Sequence, residues 1–240
     1  LELVPPQILR LLIAKSKPNK AIDFDTGMGL VTLADEFERL SARDFEQELS
    51  QEDLSRRQKV QIEDAAGAMK MATVESGQRM EATAVTFRHL ALLAQTKKND
   101  DDVWASLQAS GAITETTSQL QDRLDRMRHW IQSSHFPEEM RINILEQPNA
   151  KMLNELNEVE RRILKELVDS LSACEWSSVE IGASIPQSAK NLDESPRSAF
   201  KVAYAALMGV ERGPRLAPIL AEMDKDEILS LLKACVQLLE

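Results

Sequence analysis

The sequence predicts an all-α protein, and three observations carry the prediction. Ala, Leu, Glu, Gln, Lys, Arg and Met dominate, and these side chains lose least on entering a helix. Helix breakers are scarce, with 8 Gly and 9 Pro among 240 residues. Apolar residues recur at helical spacing, most clearly at Leu120, Leu124, Met127 and Ile131, while no segment alternates as a half-buried strand does. The expected architecture is a multi-helix bundle or superhelix of about ten helices. At 43% hydrophobic and 28% charged residues, the chain has ample apolar mass for a core.

The elements follow in order. Pro5-Pro6 precedes Ile8, Leu9, Leu12 and Ile13, a short amphipathic helix with prolines where missing N–H donors cost little. Lys17-Pro18 stops it, and 19–27 reads as a loop. Helix resumes over 28–40, with Leu30, Leu33, Ala34 and Phe37 on one side. Residues 41–52 are polar and read as a joint. A long helical stretch is expected over 53–96, broken near Gly67 or Gly77. A charged turn at 97–102 leads into a short helix ended by Gly111. After the 120–131 stripe, Pro137 and Pro148 are expected to bracket another short helix. One helix is expected over 149–174, with Val159, Ile163, Leu164, Leu167, Val168 and Leu171 inward, and others over 177–191, 197–208, 214–222 and 225–239. Pro196 and Pro214 each stand at an expected helix start, and Asp224 is an N-cap.

The net charge of −10 disfavours indiscriminate attraction to nucleic acid, DNA included, because such binding rests on phosphate neutralisation. The charge is uneven, however. Residues 1–22 carry a net +3, residues 23–54 a net −8 and residues 55–98 a net +4. An acidic body with local basic faces suits folded RNA held at chosen places. The two cysteines, Cys174 and Cys235, make no disulfide framework and read as reduced thiols of a cytoplasmic protein. No apolar run approaches the roughly 20 residues of a membrane span. The chain starts at Leu1 rather than Met and reads as an excised piece of a longer protein.

Catalytic and metal signatures are absent from the sequence. His89, His129 and His135 are the only histidines, and neither they nor the cysteines have zinc-ligand spacing. There is no nucleophile elbow and no phosphate-cradling glycine loop. Glu138 and Glu139 are adjacent and diverge on a helix.

RNA contact is the chemistry that remains. Arg10, Lys15, Lys17 and Lys20 offer backbone contacts, against the plainer reading of a solvated basic loop. Phe87, Arg88 and His89 head an apolar helix, and aromatic and guanidinium planes are what unpaired bases stack on. Against that, Phe87 has core spacing with Leu90 and Ala94. Trp130 stands among Arg123, Arg126 and Arg128, with the core again the plainer place for it, as for Trp104 and Trp176. Arg212 and Arg215 flank Gly213-Pro214, where two guanidiniums and a helix start suit a phosphate. The competing reading pairs them with acids such as Glu211.

Three stretches carry a resemblance to class I lysyl-tRNA synthetases. The first is Pro5-Pro6, Ile8-Leu9-Arg10 and Lys17-Pro18-Asn19-Lys20-Ala21-Ile22-Asp23-Phe24-Asp25, then Gly29-Leu30 and Asp35-Glu36-Phe37. The second is Phe87-Arg88-His89-Leu90-Ala91-Leu92-Leu93-Ala94-Gln95. The third is Phe200, Tyr204, Leu207-Met208-Gly209, Glu211-Arg212-Gly213-Pro214-Arg215 and Leu220. Ala217 departs from the glycine of the family pattern, and 49–80 carries little of it.

The resemblance implies a helical-cage anticodon-binding domain over 49–240, dividing, if at all, near 148. It implies a connector over 1–48 that follows a catalytic domain lying outside this chain. It further implies tRNA(Lys) as partner and an intact enzyme that joins lysine to tRNA using ATP with magnesium. The family's two ATP-binding signatures are missing. No histidine is followed two residues later by glycine, and Lys70-Met71 continues Ala-Thr rather than Ser-Lys. The fragment alone is therefore expected to hold no cofactor and to make no adenylate. Two other readings stay open, a helical protein-interaction scaffold without RNA and the anticodon-binding part of a glutamyl-type synthetase.

Overall fold

A computed structural model describes residues 4–73 and 85–240. Among these residues there are thirteen α-helices, ten of them with seven residues or more, one 3-10 turn and no strand. The chain is all-α, and it divides into two compact units. Residues 1–94 with 99–137 form one, and residues 95–98 with 138–240 form the other.

In the first unit the helices are α1 (Pro6–Lys15), α2 (Met28–Ser41), α3 (Phe45–Leu49), α4 (Arg56–Ala72), α5 (Phe87–Thr96), whose last residues fall in the second unit, α6 (Asp100–Ala109) and α7 (Ser118–Gln132). Helix α1 carries proline at its first position and packs on α2 and α4. The polar joint contains a helix of its own, α3, capped by Asp44. Helix α4 starts at a capping box, Ser55 with Gln58, and passes straight through Gly67, so no break occurs there. Gly77 lies outside the described residues. Helix α6 begins at Asp100, inside the expected charged turn, because Asn99 caps it and three aspartates in its first turn suit the positive end of the helix. The inward stripe of α7 is Leu120, Leu124, Met127 and Trp130, with Ile131 only half-buried.

The second unit holds α8 (Ala150–Asn154), α9 (Glu158–Ala173), α10 (Ser178–Lys190), α11 (Pro196–Met208), α12 (Leu216–Ala221) and α13 (Lys225–Leu238). Helix α9 is central, packing against α10, α11 and α13. Leu164, Leu167, Leu171, Ile181, Ile185, Leu207, Leu220 and Leu232 are fully buried between these helices. Each such side chain contributes about 1.5–3 kcal/mol by leaving water. Ala199, Ala203, Ala205 and Ala206 on α11 are small enough to let its neighbours approach closely.

Three expectations are corrected here. The single helix over 149–174 is two, because Asn157 and Glu160 form a second capping box that restarts the chain after α8. The Glu160 N–H donates to Asn157 Oδ1 at 2.9 Å, and the Asn157 N–H donates to the Glu160 carboxylate at 3.0 Å. Between Pro137 and Pro148 there is only the 3-10 turn Glu138–Met140, followed by chain in neither helix nor strand. Its backbone bonds outward instead. The Ile142 N–H donates to Gln95 Oε1 at 3.0 Å and the Leu145 N–H to the Leu207 carbonyl at 2.8 Å. Pro214 precedes α12 rather than opening it, since the cap is Arg215.

Candidate nucleic-acid interface

The N-terminal cations do not act alike. Arg10 is half-buried on α1. Lys15, in the last turn of α1, pairs with Glu36 of α2. Lys17 and Lys20 are exposed and share one turn, in which the Lys20 N–H donates to the Lys17 carbonyl at 3.0 Å. Neither ammonium has a partner among the described residues. The loop that follows is held by Asp25, whose carboxylate accepts the Gly27 and Gly29 N–H groups at 2.8 and 2.7 Å. Those two amides hold Asp25 below its ordinary pKa, with a smaller contribution from His135. Gly29 is required there, because an added Cβ would lie 2.7 Å from that of Asp25.

Phe87 and Trp130 are core residues. Trp130 is fully buried, with its ring 5.2 Å from that of Phe87 and 4.8 Å, edge-on, from that of Phe136. Its Nε1–H donates to the Thr26 carbonyl at 2.8 Å. Neither ring presents a face to solvent, because each packs on its aromatic neighbours in the core. What they do is fix α5 and α7 beneath the loop that carries Asp25.

Arg88 is half-exposed and tied by a forked pair to Asp35 of α2, with Nε and Nη2 both within 2.9 Å of Oδ2. His89 is half-buried, and its N–H donates to Thr86 Oγ1 at 3.2 Å. Next to this pair, Glu38 accepts the Phe87 N–H and faces Arg123 at 3.8 Å. Burial pushes the Glu38 carboxyl above its ordinary range and the Arg123 guanidinium below its own. Two α2 carboxylates thus hold the start of α5. On α7, Arg126 pairs with Asp122 at 2.8 Å and Arg128 with Asp100 at 2.7 Å.

The second unit has a different device, the turn between α11 and α12. Gly209 ends α11 in the left-handed conformation, with φ of 67°. The Tyr204 hydroxyl lies 2.6 Å from the Pro214 carbonyl and 3.0 Å from that of Gly213, one proton serving both. Gly213 rests against the same ring, since a Cβ there would stand 3.1 Å from it. On this turn Arg212 and Arg215 are exposed, and neither guanidinium has a hydrogen-bond or ion-pair partner among the described residues. Neither pairs with Glu211, whose charge makes a small contribution to raising the Lys201 ammonium behind the larger one from Glu160.

Sequence reasoning counted Tyr204 among the residues of the family resemblance but gave it no role at this turn, although a lone tyrosine nine residues before Gly213-Pro214 was a visible signal. It also passed over the basic face of α9. There Arg161, Arg162 and Lys165 border a groove of about 250 Å³ that Leu164, Val236 and Leu239 also line, with Glu158 and Glu240 at its edge and Lys165 paired to Glu240 at 2.8 Å. Both cysteines are free thiols, and burial raises Cys235 to about 11. No described helix is long and apolar enough to cross a membrane. No group of three His, Cys, Asp or Glu able to hold a metal stands together among the described residues.

Comparison with known proteins places this arrangement. The lysine–tRNA ligase of Thermoplasma volcanium is 29% identical over 234 residues, covering 98% of this chain and 43% of its own length. That of Thermoplasma acidophilum is 28% identical over 226 residues, covering 94% and 41%. That of Pyrococcus horikoshii is 29% identical over 239 residues, covering 97% and 43%. The chain thus spans less than half the length of these relatives. Residues 78–236 match the model of the anticodon binding domain, about two thirds of the sequence, and the chain belongs to that family.

Proposed function

We propose that this chain is the tRNA-binding region of a lysine–tRNA ligase, holding tRNA(Lys) and reading its anticodon. The anticodon binding domain match over 78–236 is the observation that supports this reading. Residues 1–48 act as a connector contacting the tRNA stem, and residues 49–240 form the anticodon-binding region. The intact ligase works in the cytoplasm, attaching lysine to tRNA with ATP and magnesium through a catalytic domain outside these 240 residues.

Division of labour follows from the side chains. Phosphate contacts position RNA and base contacts specify it. Lys17, Lys20, Arg212 and Arg215 are exposed and unpartnered among the described residues, which suits phosphate. Arg10 and Lys15 flank the first pair. Arg88 and His89 lie at the surface end of α5, and base contact falls to them rather than to the buried rings of Phe87 and Trp130. The test is binding of the purified chain to transcribed lysine tRNA, beside the same tRNA with a swapped anticodon, at two salt concentrations. A preference for the lysine anticodon that survives added salt is the expected result. Equal binding to both, or binding to neither, overturns the reading.

A further inference from the structure

We propose that Tyr204 is a positioning residue for RNA, clamping the 209–215 turn so that Arg212 and Arg215 meet a backbone phosphate already in place. The inference rests on the tRNA-binding reading above and adds to it the device that prepares the cations. Four observations support it.

The Tyr204 hydroxyl sits between the Gly213 and Pro214 carbonyls, at 3.0 and 2.6 Å, so the backbone that joins the two arginines is tied to α11 at its midpoint. The turn is fixed at its start as well, where the left-handed Gly209 packs against Asn149 and Leu145. Gly213 leaves just enough room for the ring beneath it. Arg212 and Arg215 have no acid to neutralise them among the described residues, in a chain whose net charge is −10. A free guanidinium on a loose loop loses backbone as well as side-chain freedom when it binds. On a clamped turn the backbone cost has been met in folding, and more of the phosphate attraction appears as affinity. Tyr204 touches no ligand in this scheme and acts only through the turn.

The test is a double-mutant cycle on the 240-residue chain, measuring lysine tRNA binding across a salt series. The four proteins are wild type, Tyr204→Phe, Arg212→Ala with Arg215→Ala, and the triple variant. Losing both arginines should lower the salt slope by about one to two, one per phosphate contact. Tyr204→Phe should weaken binding about three- to tenfold, the range of one lost hydrogen bond, and should do nothing further once the arginines are gone. Faster hydrogen exchange at the Gly213 and Arg215 amides in Tyr204→Phe should accompany that loss. A Tyr204→Phe effect of equal size in both backgrounds overturns the proposal, because it marks a general structural role. So does an unchanged salt slope in the arginine variant while wild type binds, and this result leaves the tRNA-binding reading standing. Wild type that binds no tRNA sinks both together.

Discussion

Arg88 of the first unit and Arg212 of the second are both exposed arginines close to the start of a helix, yet their surroundings differ. Arg88 is forked onto Asp35 beside a second carboxylate, Glu38, that holds the same helix start. Arg212 stands on a turn fastened by a tyrosine hydroxyl and a left-handed glycine, with no carboxylate partner among the described residues. In a chain with ten more acids than bases, Arg88 has found a carboxylate, whereas Arg212, like Lys17 and Lys20, has none among the described residues. Where a tyrosine hydroxyl and a left-handed glycine supply the fastening, no acid is needed and the charge stays available. In the first unit the arginine joins two helices while half of it stays exposed; in the second it is left facing solvent.

Four substitutions break or sharpen this contrast. The largest effect is expected from Trp130→Ala in the first unit. It empties a fully buried site, frees the Thr26 carbonyl and leaves Phe87 and Phe136 without their common ring, for about 3–5 kcal/mol in urea unfolding. Next is Glu160→Ala in the second unit, where one carboxylate both closes the α9 capping box and pairs with Lys201 at 2.7 Å. Its loss should cost about 2 kcal/mol.

That residue also has a pH signature. Burial alone would raise the Glu160 carboxyl, but Lys201 and the Asn157 N–H outweigh it and hold the pKa below its usual 4.5. A depressed carboxylate contributes stability that is complete above the unfolded value. Stability measured against pH should therefore fall as pH drops below about 4.5 in wild type, and fall less in Glu160→Ala.

Gly209→Ala should cost about 1–2 kcal/mol, because φ of 67° disfavours any Cβ, and its thermal unfolding midpoint would report it. The smallest effect belongs to Arg88→Ala. Its pair with Asp35 is 50% and 40% exposed, so solvent screening should keep the loss under about 1 kcal/mol. A larger loss would mean that the α2–α5 tie carries more of the first unit than its exposure suggests.

The elements were largely legible in the sequence, for local reasons. Pro6, Pro196 and Asp224 stand where helices begin, and Gly209 and Gly111 follow where they end. The break after α8 was legible too, since Asn157 and Glu160 have capping-box spacing, but the apolar run around it masked the signal. Gly67 misled in the other direction. Its exposed position in α4 costs only about 1 kcal/mol relative to alanine, too little to end a helix of 17 residues. The candidate site was less legible. Asp35 with Arg88 and Glu160 with Lys201 lie 53 and 41 residues apart, so local sequence patterns cannot reveal such pairs. Trp130 shows the same limit, because it and Ile131 are neighbours near the same helical stripe and only packing decides which one turns inward.

Trp176 has a consequence of its own. Its indole N–H donates to the Met223 carbonyl at 2.9 Å, and the Lys225 ammonium lies 5.7 Å from its ring centre. The same ammonium donates to the Ser172 and Cys174 carbonyls at 3.0 and 2.8 Å, at the end of α9. Trp104 and Trp130 both belong to the first unit, which leaves Trp176 as the lone indole of the second. The emission that Trp176→Phe removes is therefore a private reporter of the second unit, with Trp130 left in place to hold the first. Whether the halves of this chain melt as one cooperative body or as two is then readable from a single emission band set beside the helical circular dichroism.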